Sequence, residues 1–308
     1  MSLDNATSIQ IKHKSLFDRY FKEYPPQISE FTFTNLFMWR EHYQFEYIEK
    51  DDHLIIFSKE YLTKWEEPNT NSNNAIFFLP PIGERPHVIM EEILNEHKNA
   101  EFNRVPFEIC NNLKDYDSSE KLNLVFLEDR KNFDYIYKFQ EMKELPGNKH
   151  RKNRRWLNKF LESYNFEFNI IDKDLIDKCR ELQLKWCQVK DCEDDQSLLE
   201  EQKAILSAID NFSKLNYIGG IICVNDTCVA YTFGELLNPE TLVIHIEKAH
   251  TQFEGSYQAI NNLFLKHYER EVKFVNREQD LGIPGLRKAK ESYKPHHLVE
   301  KYIVHRNT

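Results

Sequence analysis

Two stretches of the chain alternate apolar and polar side chains, and each breaks at a pair of turn-forming residues. In YQFEYIEKDDHLIIF the break is Asp51-Asp52, and in YIGGIICVNDTCVAYTFGEL it is Asn225-Asp226. Alternation on both sides of such a pair predicts a β-hairpin. After the first hairpin, AIFFLP reads as a buried strand, PIGERP as a loop and HVIMEEILNEHK as a helix. After the second, TLVIHIEKA reads as a strand and TQFEGS as a loop. YQAINNLFLKHYER then carries Tyr257, Ile260, Leu263 and Phe264 at helical spacing. VKFVN predicts another strand, DLGIPG a turn, LRKAKESY a short basic helix, and LVEKYIV a single closing strand.

A hairpin followed by strand, helix and strand thus occurs roughly twice. Short connections and strand–helix–strand units predict an α/β fold with parallel pairs inside mixed sheets. The break is expected at LPGN, where Pro146 and Gly147 end one segment and Asn148 is placed to cap the next. That predicts an N-terminal domain over 1–146 and a C-terminal domain over 147–308. The C-terminal half is the expected working half, because six of the eight glycines lie between Gly219 and Gly285. Glycine serves where backbone bends sharply or approaches a ligand.

Composition narrows the class. With 308 residues, 41% of them hydrophobic, the chain can bury a large core. No apolar run approaches the roughly 18 residues of a membrane helix, and the N-terminus lacks the apolar stretch of a secretory signal. A cytoplasmic location is expected. The six cysteines lack zinc-site pairing and are expected to be reduced thiols, with Cys223 and Cys228 facing each other across the second hairpin. No metal site is expected: the spacing of His245 and His250 is not a helical zinc signature, and DCEDD lacks the glycine of a calcium loop. Nucleophile-elbow, P-loop and dinucleotide fingerprints are absent.

Charge changes the picture at one place. The chain has a formal net charge of −9, yet GNKHRKNRRWLNKF gathers Lys149, Arg151, Lys152, Arg154, Arg155 and Lys159. On a helix starting after Asn148, Trp156, Leu157, Phe160, Leu161 and Tyr164 share one face, Arg151, Lys152, Arg155 and Lys159 lie roughly opposite, and His150 and Asn153 extend the apolar face toward the helix start. Cations in a first helical turn oppose the helix dipole, at roughly 0.3–1 kcal/mol each. A bound anion would reverse that term, so the segment is a candidate phosphate-binding wall between the halves; a solvated basic face is the structural alternative.

His245 and Glu247 alternate with Ile244 and Ile246, which predicts that both point to one side of a strand. Glu247 is a candidate base for an amine nucleophile, and the alternative is a buried ion pair with Lys248, Arg277 or Arg287. Asn276, Asp280 and Gly282 surround the end of VKFVN, where ligands of open α/β sheets bind, and Arg287, Lys288 and Lys290 give the following helix a second positive face toward the same anion.

The order of elements resembles the GCN5-related N-acetyltransferase (GNAT) fold. More closely, the chain resembles a bacterial family that matches the C-terminal region of phosphatidylglycerol lysyltransferase. The segments carrying the likeness are FTFTNLFMWREHYQF, FFLPPIG, LPGNKHRKNRRWLNKF, HIEKAHTQFEGSYQAIN and VNREQDLGIPGLRKAKESYKP. The resemblance implies two tandem GNAT-like domains and transfer of an aminoacyl group from tRNA to a lipid head group. It also implies that Gln252 to Tyr257 correspond to the pyrophosphate loop, with Gly255 and Ser256 as anion contacts. Tyr257 stands where that loop has a second glycine, which makes coenzyme A the weaker donor. Tyr293, in ESYKP, matches the tyrosine that protonates the leaving group.

The expectation is an acyltransferase acting on an amine or hydroxyl, without a tightly bound cofactor. Its donor is aminoacyl-tRNA or acyl-CoA, and its acceptor a small molecule or a lipid head group. A non-catalytic anion- or tRNA-binding module and a coenzyme A-dependent acetyltransferase of a small amine are the alternatives.

Overall fold

The computed structural model describes residues 2–70, 74–115 and 122–307. It separates into two compact units, Met1–Asp134 with Val299–Thr308, and Tyr135–Leu298.

In the first unit, β1 (Thr7–Ser8), α1 (Lys14–Glu23) and α2 (Phe33–Tyr43) precede the expected hairpin of β2 (Glu46–Lys50) and β3 (His53–Ser58). Asp51 and Asp52 both adopt left-handed backbone in its turn, the conformation a two-residue hairpin of this type requires. A short α3 (Tyr61–Lys64) leads to β4 (Ile76–Phe78), α4 (Pro86–Glu96), β5 (Ala100–Pro106), α5 (Phe107–Asp115) and β6 (Leu124–Glu128). Pro86 opens α4, where its missing N–H costs nothing. Ile89, Met90, Ile93 and Leu94 on α4 pack with Ile55, Phe57, Phe78 and Phe102 of the sheet. β4 and β5 pair in parallel across α4.

The second unit begins with β7 (Asp134–Lys138), α6 (Phe139–Glu144) and α7 (Arg151–Ser163), followed by β8 (Phe166–Ile170). The helical hairpin of α8 (Ile176–Val189) and α9 (Gln196–Asp210) then leads to β9 (Ile218–Val224) and β10 (Thr227–Asn238), whose turn again holds two left-handed residues, Asn225 and Asp226. β11 (Thr241–Ala249), α10 (Ser256–His267) and β12 (Phe274–Asn276) form a second parallel strand–helix–strand unit. α11 (Pro284–Ser292) and β13 (His297–Val299) complete it. Phe160 of α7, Ile260 and Phe264 of α10, and Ile222, Leu242 and Val275 of the sheet make its core.

The α/β class with two mixed sheets is the one expected. The boundary is not at 146/147. With a last strand, β14 (Lys301–Arg306), the sheet orders are β1-β2-β3-β4-β5-β14-β6 and β13-β7-β12-β11-β10-β9-β8. β7 therefore leaves the N-terminal half to pair with β12, and β14 leaves the C-terminal half to pair with β5 and β6. LVEKYIV, read as one strand, is two, divided at Glu300 between the two sheets.

Lys301 fixes β14 in the first unit. Its ammonium is fully buried and donates to Asp134 (2.7 Å) and to both oxygens of Glu30 (2.7 and 2.9 Å). Ser29 donates to Asp134 through its backbone N–H (2.8 Å) and its hydroxyl (2.9 Å). Buried charge persists when it is paired and hydrogen-bonded in this way.

The cysteine expectation is corrected in part. Cys223 and Cys228 are cross-strand neighbours with free thiols. Cys187 and Cys192, brought together where α8 gives way to the turn before α9, are joined by a disulfide. Among the described residues no helix is long and apolar enough to cross a membrane, and no cluster of three metal-ligating side chains occurs.

Candidate active site

β11 carries a bulge. Phe233 of β10 pairs with Ile246 and Gly234 with Ile244, which leaves His245 as the extra residue. A bulge re-aims side chains, and here His245 and Glu247, expected on one side of the strand, have separate partners. His245 Nδ1 lies 2.7 Å from Glu278 and Nε2 3.0 Å from Glu235. Burial opposes its charge, but the hydrogen bonds to Glu235 and Glu278 outweigh burial and raise the imidazole to about 9. With both ring nitrogens taken up by carboxylates, His245 clamps the bulge.

Glu247 turns to a different set of partners. Its Oε1 accepts from Arg277 Nη2 at 2.7 Å, and its Oε2 from Asn261 Nδ2 at 3.0 Å. Arg277 follows β12 directly and Asn261 projects from α10, so the parallel pairing of β11 with β12 brings both to the carboxylate. The Arg277 guanidinium lies 4.8 Å from the Tyr293 ring centre and 6.0 Å from that of Tyr137. Two polar atoms here, Arg277 Nη1 and Asn261 Oδ1, are buried without a hydrogen-bond partner. Buried polar groups are rarely left so. The Tyr293 hydroxyl has no partner among the described residues. Burial raises its pKa well above the ordinary tyrosine value; Arg277 opposes the shift and Glu247 adds to it. It therefore stays protonated across the physiological range.

Asn276 and Asp280 shape the loop after β12. Asn276 Oδ1 accepts from the Glu278 N–H at 2.8 Å. Asp280 is fully buried and accepts from Tyr135 Oη (2.7 Å), the Gly282 N–H (2.8 Å) and both Arg287 Nε (2.7 Å) and Nη2 (2.9 Å). Burial alone would raise the Asp280 pKa, but these donors, Arg287 foremost, hold it far below the usual carboxylate range. Lys290 is spent on the backbone carbonyl of Arg277, and Tyr137 Oη donates to the carbonyl of Lys290 (2.9 Å). Arg287 and Lys290 thus brace the site and are not free anion contacts.

The basic segment behaves differently from the expected wall. Lys149 pairs with Glu141, and Arg154 donates to the carbonyls of Leu145 and Gly147, closing the end of α6. Lys159 pairs with Glu254. Arg151, Lys152 and Arg155 are exposed and have no partner among the described residues. Arg151 and Arg155, with Asn158 and Glu162, line a shallow open depression along α7. The opposite face of α7 is the one that meets α11, through Asn153 Nδ2 donating to the Ser292 carbonyl at 3.1 Å. Residues two positions from Asn153 lie about 160° around the helix, so Arg151 and Arg155 turn away from the neighbour of Tyr293.

Gly255 is needed for packing. It has φ +85° at the start of α10, and a Cβ there would collide with the carbonyl of Trp156 on α7. Ser256 Oγ donates to the His250 carbonyl (3.0 Å), and the Glu254 N–H donates to Tyr164 Oη (3.2 Å). In the loop that resemblance assigns to a pyrophosphate, Gly255 thus packs on the backbone of the protein's own helix, while Gln252 and Glu254 are exposed.

Sequence reasoning named Glu247 and Tyr293, held Arg277 only as a possible ion-pair partner, and missed Asn261. The signal for Asn261 was present, since helical spacing puts it with Tyr257, Ile260 and Phe264 on the buried face of α10.

Two mixed sheets, each with a parallel strand–helix–strand unit following a hairpin, define a GNAT-like fold in tandem. The chain belongs to the family described as phosphatidylglycerol lysyltransferase, C-terminal, which it matches over residues 21–305. A conserved protein of unknown function from Bacteroides thetaiotaomicron shares 29% identity at a TM-score of 0.87, covering 98% of this chain and 99% of that one. L-PGS from Bacillus licheniformis superposes with a TM-score of 0.61 at 13% identity, over 96% of this chain and 92% of that one, a likeness of fold alone. An uncharacterized protein of Mycoplasmoides gallisepticum is 25% identical over 177 residues; the match spans 55% of this chain and 55% of that protein.

Proposed function

We propose that the protein is an acyltransferase whose site is the Glu247–Arg277–Asn261–Tyr293 cluster, and that its donor is an aminoacyl ester carried by tRNA. The observation that carries the reading is the pair of unpartnered buried atoms, Arg277 Nη1 and Asn261 Oδ1, beside a buried hydroxyl that stays protonated. An acceptor amine attacks the ester carbonyl, forming a C–N bond. Arg277 Nη1 donates to the oxyanion that develops, and Glu247 fixes the guanidinium in place. Each Glu247 oxygen holds one donor and keeps a lone pair for the proton released by the amine. As the C–O bond breaks, Tyr293 gives its proton to the leaving oxygen.

Three observations support the tRNA ester over coenzyme A. Gly255 is packed against the backbone of Trp156, the family is that of a lysyltransferase, and Arg151, Lys152 and Arg155 present unpaired cations to solvent. The acceptor is an amine or a hydroxyl, with a lipid head group among the hydroxyl candidates.

Turnover is tested with charged tRNA and with acetyl-CoA over a panel of amine and lipid acceptors. Transfer from charged tRNA that falls ~10²–10⁴-fold in Tyr293→Phe, with the fold intact, is the expected result. Equal rates in the variant sink the assignment of Tyr293. Binding of tRNA without transfer in any arm supports the alternative of a binding module, for which the free cations of α7 are the relevant observation.

A further inference from the structure

The second sheet ends on one side at β8, and the outer backbone groups of that strand are open. β8 pairs with β9 in a regular antiparallel register, Glu167 opposite Cys223 and Asn169 opposite Ile221, and just beyond it the Ile171 N–H donates to the Gly219 carbonyl at 2.9 Å. Along such a ladder, residues that bond to the neighbouring strand alternate with residues that do not. Glu167, Asn169 and Ile171 therefore turn their N–H and C=O groups toward β9, and Phe166, Phe168 and Ile170 turn theirs outward. The outward groups have no partner among the described residues. An open edge is a template for another strand, and proteins blunt it with proline, lysine, a bulge or very short length. Phe166–Ile170 has five residues and none of these devices, whereas β13, at the other edge, has three residues. The side chains along the edge are apolar and partly uncovered. Ile170 is 45% exposed, Ile218, one diagonal step away on β9, is 39% exposed, and Phe166 and Phe168 are half-buried.

We propose that β8 is the interface of a symmetric dimer, in which two copies of this chain join their second sheets antiparallel about a two-fold axis at Phe168. The segment FEFNI matches its own reverse. Phe168 meets Phe168, Phe166 meets Ile170 of the second copy, and Glu167 meets Asn169 of the second copy, an acceptor facing an amide donor with no like charges opposed. The residues that face one another about this axis in bonding positions are Phe166, Phe168 and Ile170, so each open donor meets an open acceptor. A contact of one patch with itself closes at two copies and leaves no free edge on that side. Any extended strand would satisfy the backbone; the match of side chains on reversal is what singles out a second copy. The inference uses no residue of the Glu247 cluster and stands apart from the acyl-transfer reading.

Sedimentation equilibrium of the full chain over graded concentrations tests it. The wild type is expected to rise from 37.0 kDa toward twice that mass. Ile170→Pro removes an outward N–H that β9 does not use, a position where an edge strand tolerates proline; the dimer should be lost, and thermal melting checks that the fold is kept. Asn169 is exposed and its side chain has no partner among the described residues, so substitutions there leave the single chain undisturbed. Asn169→Glu sets a carboxylate against Glu167 of the other copy and should raise the dissociation constant several-fold. Asn169→Lys places an ammonium there and should lower it several-fold. Opposite signs for these two variants belong to this register alone, and they decide the matter if Ile170→Pro fails to fold. A wild type that stays at 37.0 kDa at every concentration overturns the proposal. So does a dimer that folded Ile170→Pro leaves intact, or one whose dissociation constant the two Asn169 variants shift alike or not at all.

Discussion

Each unit buries charged side chains, and the two clusters differ in how completely they are paired. In the first unit, Lys301 is surrounded by Asp134 and Glu30, and Arg104 donates to Asp129 at 2.9 Å while Asn132 donates to both Asp129 oxygens. None of these side chains keeps a buried atom without a partner. In the second unit, Glu247 is held by Arg277 and Asn261, and each of those donors keeps an unpaired atom. Burial of charge is common to both and is uninformative about function. What separates a brace from a site is hydrogen-bonding capacity left over, because an unpaired buried group costs about 1–3 kcal/mol that a ligand or water would recover.

The sharpest way to break this contrast is in the first unit. Lys301→Met removes the ammonium that Asp134 and Glu30 share, with Arg104 remaining 3.5 Å from Glu30, and should cost about 3–5 kcal/mol in chemical denaturation. A loss below 1 kcal/mol would show that the network does not hold β14.

The next effect is one of pH. His245 has its pKa raised to about 9 by Glu235 and Glu278. It binds its proton more tightly folded than unfolded, where the value is about 6.5. Its contribution is therefore complete below about pH 6.5, declines above it, and is lost as pH rises through about 9. The shift corresponds to about 3 kcal/mol. Denaturation of the wild type and of His245→Gln across pH 6 to 10 (about the range that brackets both values) should converge at the alkaline end. Parallel curves would remove the clamp.

The smallest effect sharpens the site. Asn261→Ala removes one hydrogen bond to Glu247 and also one unpaired oxygen, so its stability cost should stay within about 1 kcal/mol. Loss of transfer activity should be much larger in relative terms. A large stability loss with activity intact would reclassify Asn261 as a brace like Asp134.

Much of the fold could be read along the chain because it rests on local chemistry. Asp51-Asp52 and Asn225-Asp226 tolerate left-handed backbone, so the hairpins and their turns follow from neighbouring residues. Helical spacing in α4 and α10 is equally local. The split of LVEKYIV at Glu300 was not legible, since both halves are apolar enough for either sheet. Nor was the bulge at His245: the alternation of Ile244, His245, Ile246 and Glu247 is that of a regular strand, and only pairing with Phe233 and Gly234 expels one residue. That single displacement separates His245 from Glu247 and gives the carboxylate to Arg277 and Asn261. The basic run was visible as charge, but its direction was set by Asn153 docking on Ser292.

The amino-acid sequence by itself determined the hairpins, the two parallel strand–helix–strand units, the family, and the identity of Glu247 and Tyr293 as residues of interest. Periodicity and turn chemistry act over a few residues and need no distant partner. Tertiary structure alone decided which charges are paired, which are free, and where the chain crosses from one sheet to the other. The pairings of Glu247 with Arg277 and of Lys301 with Asp134 join groups 30 and 167 positions apart, and no local pattern records who will stand beside whom.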